Sequence, residues 1–392
     1  MKKKLLFVIP SLDAGGAEKS LINLLNTIDE TRFSVDLYLF THRGLFLSQV
    51  PQFVNILAKN DDIKVFQKSL LSSVIEFLKK GKVVSALHRI QFFLTNKTSN
   101  NSSTAEQYSW KYIKKSFDSI DEEYDAAIGF LEKSSIYFVV DKVKSKNKIG
   151  FIHNDYNKLS LDKMFDKHYF KYLKHIATVS EQCVEVLKKE FPESASKVKL
   201  VNNIVSSKLI KSLSEESIER LKTNSIVSVG RLHPQKGFDV GLEAVTILKD
   251  KNIDFHWYII GEGNERSNLE ASIAKNNLDD YVTLLGLKKN PYPYIKQTKV
   301  FVQPSRYEGK SIAIDEAKIL CKPIILTNFT TAKDQINHNI NGLICEMTPL
   351  AIAESILKYL EDEEFTNSIV SNLQADHFGT EAEIEKFYQI IE

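Results

Sequence analysis

Lys4-Leu5-Leu6-Phe7-Val8-Ile9-Pro10-Ser11-Leu12-Asp13-Ala14-Gly15-Gly16-Ala17 opens the chain and decides its fold class. Leu5 to Ile9 is an unbroken apolar run without alternation, which is how a strand buried on both faces reads. Gly15 and Gly16 then supply a turn. Beyond it, Leu21, Leu24, Leu25 and Ile28 recur at helical spacing and predict a helix from about Ala17 to Ile28. A second apolar stretch, Phe33 to Phe40, predicts a further strand. Strand, glycine turn, helix and strand make a βαβ unit, and such a unit requires a parallel sheet covered by helices.

Working outward, the same alternation continues. Strands are expected at Ala126 to Phe130, Lys148 to His153, His175 to Val179 and Lys197 to Val201. The pattern then restarts with strands at Ile226 to Val229, Phe255 to Ile260, Lys299 to Val302 and Pro323 to Leu326, helices from Phe238 to Lys249 and Ser311 to Leu320, and two helices within 349–374. A chain of 392 residues suits two such domains. The division expected is 1–205 for the first and 206–377 for the second, with a linker near 204–220 and a helix in 378–392 returning to the first domain. Between 64 and 118 lies an insertion of amphipathic helical character. It carries ten Lys or Arg against three acids, and its polar tract Thr95 to Thr104 reads as a mobile loop.

Bulk composition narrows the function classes. With 43% hydrophobic and 26% charged residues the chain can build ordinary cores, and a net charge of only +2 gives no overall field for nucleic acid. Cys183, Cys321 and Cys345 are scattered without metal spacing, as expected of reduced thiols in a cytoplasmic protein. Lys2, Lys3 and Lys4 ahead of Leu5 give the look of a secretory leader. The apolar run that follows is shorter than the roughly 7 to 15 residues such a leader needs. No run approaches the roughly 20 residues of a membrane span, so any membrane contact is expected to be peripheral.

Two stretches carry chemistry. In Val229-Gly230-Arg231-Leu232-His233-Pro234-Gln235-Lys236-Gly237, two cations flank the start of a helix, where free N–H groups and the helix dipole favour anions. A diphosphate suits that pocket, although the two residues read alone are equally well solvated loop charges. In Pro304-Ser305-Arg306-Tyr307-Glu308-Gly309-Lys310-Ser311, running through Ile312 to Glu316, two glutamates stand before and inside a helix. Carboxylates accept from the vicinal hydroxyls of a sugar or ribose, and Gly309 permits close backbone approach. An isolated pair of glutamates is a weak signal and reads more simply as a capping or surface feature. Gly261-Glu262-Gly263 follows a strand but has Arg266 where a dinucleotide fingerprint needs its third glycine.

Together, in this order, these motifs resemble the retaining family 4 glycosyltransferases of the GT-B architecture, capsule and lipopolysaccharide enzymes among them. Gly15-Gly16-Ala17-Glu18 is similar to that family's N-terminal glycine turn, and His153, in Ile152-His153-Asn154-Asp155, stands where the family has a cleft histidine. The resemblance implies an α/β fold of two facing Rossmann-like domains with an interdomain cleft. It implies transfer of a hexosyl or N-acetylhexosaminyl group, with retained configuration, from a nucleotide-diphosphate sugar of the UDP type. The acceptor would be a hydroxyl of a glycan or lipid-linked glycan in surface polysaccharide synthesis. Arg231 and Lys236 would neutralise the diphosphate, Glu308 would lie beside the donor sugar, and Glu316 would hold the ribose. Backbone N–H groups of Lys310, Ser311 and Ile312 would add donors. Gly16 would face the phosphate or acceptor, and His153 a sugar hydroxyl. His153, Glu308 and Lys236 are the expected catalytic set.

Where many members read E-G-F-G-L-P, this chain has Glu308-Gly309-Lys310-Ser311-Ile312-Ala313, so the sugar-facing segment departs from the family. The fixed cations, with no D-x-D pair, predict a reaction needing neither metal nor cofactor. The basic insertion 64–118 invites contact with anionic membrane at the inner face of the cell membrane. Two alternatives remain at this point, a nucleotide-sugar epimerase of the same architecture and a non-catalytic binding scaffold.

Overall fold

The structure is a computed structural model describing residues 2–13, 15–58, 61–99 and 101–392. It divides into two compact units, one of Met1–Asp13, Ala17–Asn202 and Glu383–Glu392, the other of Asn203–Ala382 with Ala14–Gly16.

The first unit holds a seven-stranded sheet of β1 (Lys3–Ile9), β2 (Phe33–Leu39), β3 (Val54–Ile56), β4 (Ile120–Gly129), β5 (Val143–Ile152), β6 (His175–Thr178) and β7 (Val198–Leu200). All its pairings are parallel, in the order β3-β2-β1-β4-β5-β6-β7. Leu5 through Ile9 have no exposed surface, which accounts for the uninterrupted apolar run. The helix Gly16–Thr27 buries Leu21, Leu24 and Leu25, as their spacing predicts. The helix Ile384–Ile391 packs on this unit: Phe387 stacks on Phe7 and Tyr388 on Phe33, and Asn147 Nδ2 donates to the Ile390 carbonyl at 2.9 Å.

The insertion forms helices Asp61–Phe66, Leu70–Lys79, Val83–Thr98 and Ser102–Ile113. The tract read as a mobile loop is largely helical on both sides of Asn101. The Asn101 side chain accepts from the Ser103 N–H at 2.8 Å and so starts the last helix, an N-cap role that polar composition alone conceals. Asn100, within that tract, lies outside the described residues.

The second unit repeats the plan with β8 (Ser225–Val229), β9 (His256–Ile260), β10 (Val282–Gly286), β11 (Val300–Gln303), β12 (Ile324–Thr327) and β13 (Leu343–Cys345). Their order is β10-β9-β8-β11-β12-β13, again all parallel. Two apolar cores cover its two faces, one centred on Trp257 and Tyr359, the other on Phe301 and Ile314. The expected linker contains a helix, Ser207–Leu213, whose Ile210 belongs to the second of these cores. In both sheets the order reverses beside the first strand, between β1 and β4 and between β8 and β11. At such a switch point the loops leaving the carboxyl ends diverge and open a crevice for a ligand.

Candidate active site

Two loops leave the adjacent strands β8 and β11 at the switch point of the second sheet, and they lock together backbone to backbone. The Arg306 N–H donates to the Gln235 carbonyl at 2.7 Å, and Gln235 Nε2 donates to the Tyr307 carbonyl at 2.9 Å. Arg306 also donates to the Pro234 carbonyl and forms a two-pronged pair with Asp239. Gly237 makes this contact possible. Its φ of +66° is left-handed, and a Cβ there would collide with the Pro304 carbonyl oxygen. A neighbouring pair of glycines serves the same end. Side chains at Gly261 or Gly263 would strike the Gly230 and Leu232 carbonyls, so the pattern discounted as a dinucleotide fingerprint is what lets the end of β9 support the 230–232 loop.

The consequence is a direct bond between two residues predicted separately. Lys236 Nζ lies 2.5 Å from Glu308 Oε1, with side-chain exposures of 16% and 7%. Ser305 Oγ donates to the same oxygen at 2.6 Å, while Oε2 meets only Gln235 Nε2 among the described residues, at 3.5 Å. An ammonium has three protons, so Lys236 can bond Glu308 and still offer two to phosphate oxygens. Arg231 is exposed and forms no ion pair among the described residues. Its charge reaches both neighbours: it adds to burial in lowering the His233 pKa, and it opposes burial and Glu308 in raising that of Tyr307.

The helix Ile312–Ile319 carries the second glutamate. Glu316 is 1% exposed and accepts from Tyr292 Oη at 3.1 Å, so it sits at the bottom of the site rather than on an open wall. Gly309 is buried and Lys310 half-buried. Of the three backbone donors expected at this helix start, the Ser311 N–H is already committed, donating to Gln335 Oε1 at 2.9 Å. Gln335 Nε2 is buried without a partner among the described residues, which leaves a donor beside the segment that departs from the family motif. Gln335 and Tyr292 lie outside both motif stretches; the fold brings them to Ser311 and Glu316, and no spacing marks them. Ser305 and Gln235 stand inside those stretches, but their bonds to the Glu308 segment are made only by the fold.

His153 and Gly16 belong to the first sheet's carboxyl ends, beyond β5 and β1. His153 is 8% exposed, its ring stacked at 22° on Phe151 and tilted against Phe130 at 4.9 Å. Burial between these rings pushes the imidazole down to about 4, against a bond to the Phe130 carbonyl, so the ring is neutral at pH 7. Nε2 is buried without a partner among the described residues. With the other nitrogen on a carbonyl, Nε2 carries the lone pair and accepts hydrogen bonds.

Glu132 fixes this turn. Its Oε1 accepts from the His153 N–H at 2.6 Å and the Asn154 N–H at 3.1 Å, and burial raises its pKa. The sequence signal available was an acid two residues beyond the apolar strand Ala126 to Phe130. Gly16 opens the helix Gly16–Thr27, and a Cβ there would meet nothing within 4 Å.

Two Rossmann-like parallel sheets of this kind define the GT-B class. The solved structure of HepE from Anabaena in complex with UDP and glucose matches at a TM-score of 0.68 and 16% identity, covering 99% of this chain and 98% of that one. Residues 210–376 match the family described as glycosyl transferases group 1, and the chain therefore carries a domain of that family.

Among relatives, the poly(ribitol-phosphate) α-N-acetylglucosaminyltransferase of Staphylococcus aureus is 24% identical over 376 residues, covering 84% of this chain and 75% of its own. The UDP-Gal:α-D-GlcNAc-diphosphoundecaprenol α-1,3-galactosyltransferase of Escherichia coli is 29% identical over 163 residues, covering 40% and 42%. The chain spans about half the length of other curated relatives it matches, 43% and 52% in two of them.

Proposed function

We propose that this chain is a retaining glycosyltransferase that moves a hexosyl or N-acetylhexosaminyl group from a UDP-type nucleotide sugar to a hydroxyl of a glycan or lipid-linked glycan in surface polysaccharide synthesis. The observation carrying this reading is the Lys236–Glu308 pair at the switch point, together with Arg231, which is in no ion pair among the described residues and whose charge reaches Tyr307 beside Glu308. Breaking the bond from sugar C1 to the diphosphate oxygen leaves negative charge on the nucleotide. Arg231 and the two remaining Lys236 protons meet it without an ion having to be recruited, so the transfer requires no metal and no cofactor.

Glu308, held in place by Lys236 and Ser305, turns its other oxygen to a hydroxyl of the donor sugar. Glu316 takes the ribose, and Lys310, Ser311, Ile312 and Gln335 set which sugar fits over Gly309. His153, as a neutral acceptor, takes a hydrogen bond from a sugar hydroxyl, and Gly16 leaves room for the phosphate or the acceptor. The E. coli relative, named for a UDP-sugar donor and a diphosphoundecaprenol acceptor, supports the choice of both classes.

A thermal-shift and calorimetric screen of nucleotide sugars, with and without EDTA, tests the proposal. One nucleotide sugar is expected to stabilise the protein equally in both conditions, by about 2.7 kcal/mol at a hundred times its Kd. Loss of the shift in EDTA would remove the metal-independent mechanism. Stabilisation without sugar transfer to any acceptor, or with an epimerised donor as product, would replace transfer by one of its rivals.

A further inference from the structure

The helical hairpin of Leu70–Lys79 and Val83–Thr98 has more apolar surface than its packing uses. Its inner side is spent on the core of the first unit, where Phe77 and Ala86 are buried, Val74 and Phe92 pack on the same cluster, and Phe66 contacts both Phe77 and Phe92. An amphipathic helix needs one such face, with polar residues opposite. Here the opposite face is apolar as well. On the first helix Leu71, Ile75 and Leu78 follow one another at helical spacing and are 75%, 51% and 50% exposed. On the second, Val83, Leu87, Ile90 and Leu94 form a stripe about 17 Å long, with Leu87 54% exposed. Nine of the sixteen exposed large hydrophobic side chains among the described residues fall between 71 and 94. That concentration makes this face a docking surface rather than scattered surface apolarity.

Charge selects the occupant. Residues 70–98 carry Lys79, Lys80, Lys82, Arg89 and Lys97 against the single acid Glu76. Lys80 and Lys82 pair with Glu76 and Asp62, whereas Lys79 and Lys97 form no ion pair among the described residues, and their long stems let the ammonium groups reach past an apolar layer. Two copies of this face apposed would set lysine against lysine. A bilayer with anionic headgroups offers hydrocarbon for the stripe and opposite charge for its border. At 16 residues the longer helix is too short to span, so it would lie in the interface.

We infer that this hairpin docks the protein onto an anionic membrane surface. The test is co-sedimentation of the full chain with vesicles of phosphatidylcholine containing about 30% phosphatidylglycerol, and with phosphatidylcholine alone, in the regime where surface charge contributes. Preferential binding to the anionic vesicles is expected. Replacing Leu87→Ser and Leu94→Ser together, both exposed and so without cost to the core, should lower partition roughly tenfold per leucine. Lys79→Gln with Lys97→Gln should lower it roughly fivefold per lysine.

All variants should keep the wild-type melting temperature and the wild-type shift with nucleotide sugar, so loss of membrane binding stays distinct from failure of the donor-site reading. Equal binding to both vesicle types, or wild-type binding by either double variant, would overturn the inference. So would light scattering showing a dimer that the Leu87 and Leu94 changes dissociate while the wild type ignores vesicles, since the face would then join copies of the chain.

Discussion

The two sheets share one strand order and one switch point, yet they place opposite kinds of chemistry at their carboxyl ends. In the second unit the site is ionic: Lys236 and Glu308 pair at 2.5 Å, and the charge of Arg231, in no ion pair among the described residues, reaches Tyr307. In the first the group at the tip is a neutral ring, His153 held between Phe130 and Phe151, with the buried Glu132 carboxyl beside it taken up by the His153 and Asn154 N–H groups. The topology fixes where loops converge, and the residues on those loops decide whether the spot holds charge or excludes it. A donor with a diphosphate needs the first kind of environment. A hydroxyl that must be oriented but not ionised is better served by the second.

The comparison can be broken most forcefully at Lys236. Lys236→Ala should cut transfer roughly a thousandfold, about 4 kcal/mol, in steady-state assays with saturating donor, because it removes a fixed cation where charge develops. Wild-type turnover would detach the pair from catalysis. The same substitution strands Glu308, which is 6% exposed, and should cost about 3 kcal/mol in urea unfolding. Adding Glu308→Gln should recover most of that stability without recovering transfer, and this separates the structural role of the pair from its chemical one.

The neutral site makes a smaller and differently signed prediction. With the folded imidazole at about 4 and its unfolded value near 6.5, the unfolded chain binds a proton that the folded chain refuses. The stability this group contributes is therefore full above pH 6.5 and is lost as pH falls towards 4. Between pH 7 and pH 5 the wild type should lose roughly 2 kcal/mol more than His153→Gln in matched denaturant melts. Comparing the two proteins cancels the opposing contribution of Asp166, whose burial lifts it to about 6. Parallel curves would mean that the imidazole is solvated. Smallest of all, His153→Ala should lower kcat roughly tenfold with little change in KM, the value of one neutral hydrogen bond made more strongly in the transition state.

These contrasts were unequally legible in the sequence. β1 announces itself because both of its faces are buried, so Leu5 to Ile9 run without a break, and β8 is nearly as plain, interrupted only by the buried Ser228. β3, β10 and β13 escaped notice because they stand at sheet edges, where each buries only its first residue fully and so leaves no long apolar run. The motif residues of the donor half could be found from order and spacing. Their mutual bond could not, since Lys236 and Glu308 are 72 positions apart and are joined only through the folded contact of their two loops, which the Gly237 approach to Pro304 permits. Glu132, Gln335 and Tyr292 were hidden for the same reason: each acts through a partner on another loop. Asn101 shows the converse, a polar residue read as loop that instead caps a helix.

The packing of Ile384–Ile391 on the first sheet bears on how the chain is made. Phe7, Phe33 and Asn147 are synthesised early, but the aromatic rings and the carbonyl that cover them leave the ribosome only after all of 203–382. Apart from Ala14–Gly16 the second unit is contiguous in sequence, and its core can be completed while the first still waits with an open apolar seat. Vectorial synthesis therefore reverses the order of the two: the half that begins first is finished last, and until then it presents a hydrophobic site of the sort chaperones recognise.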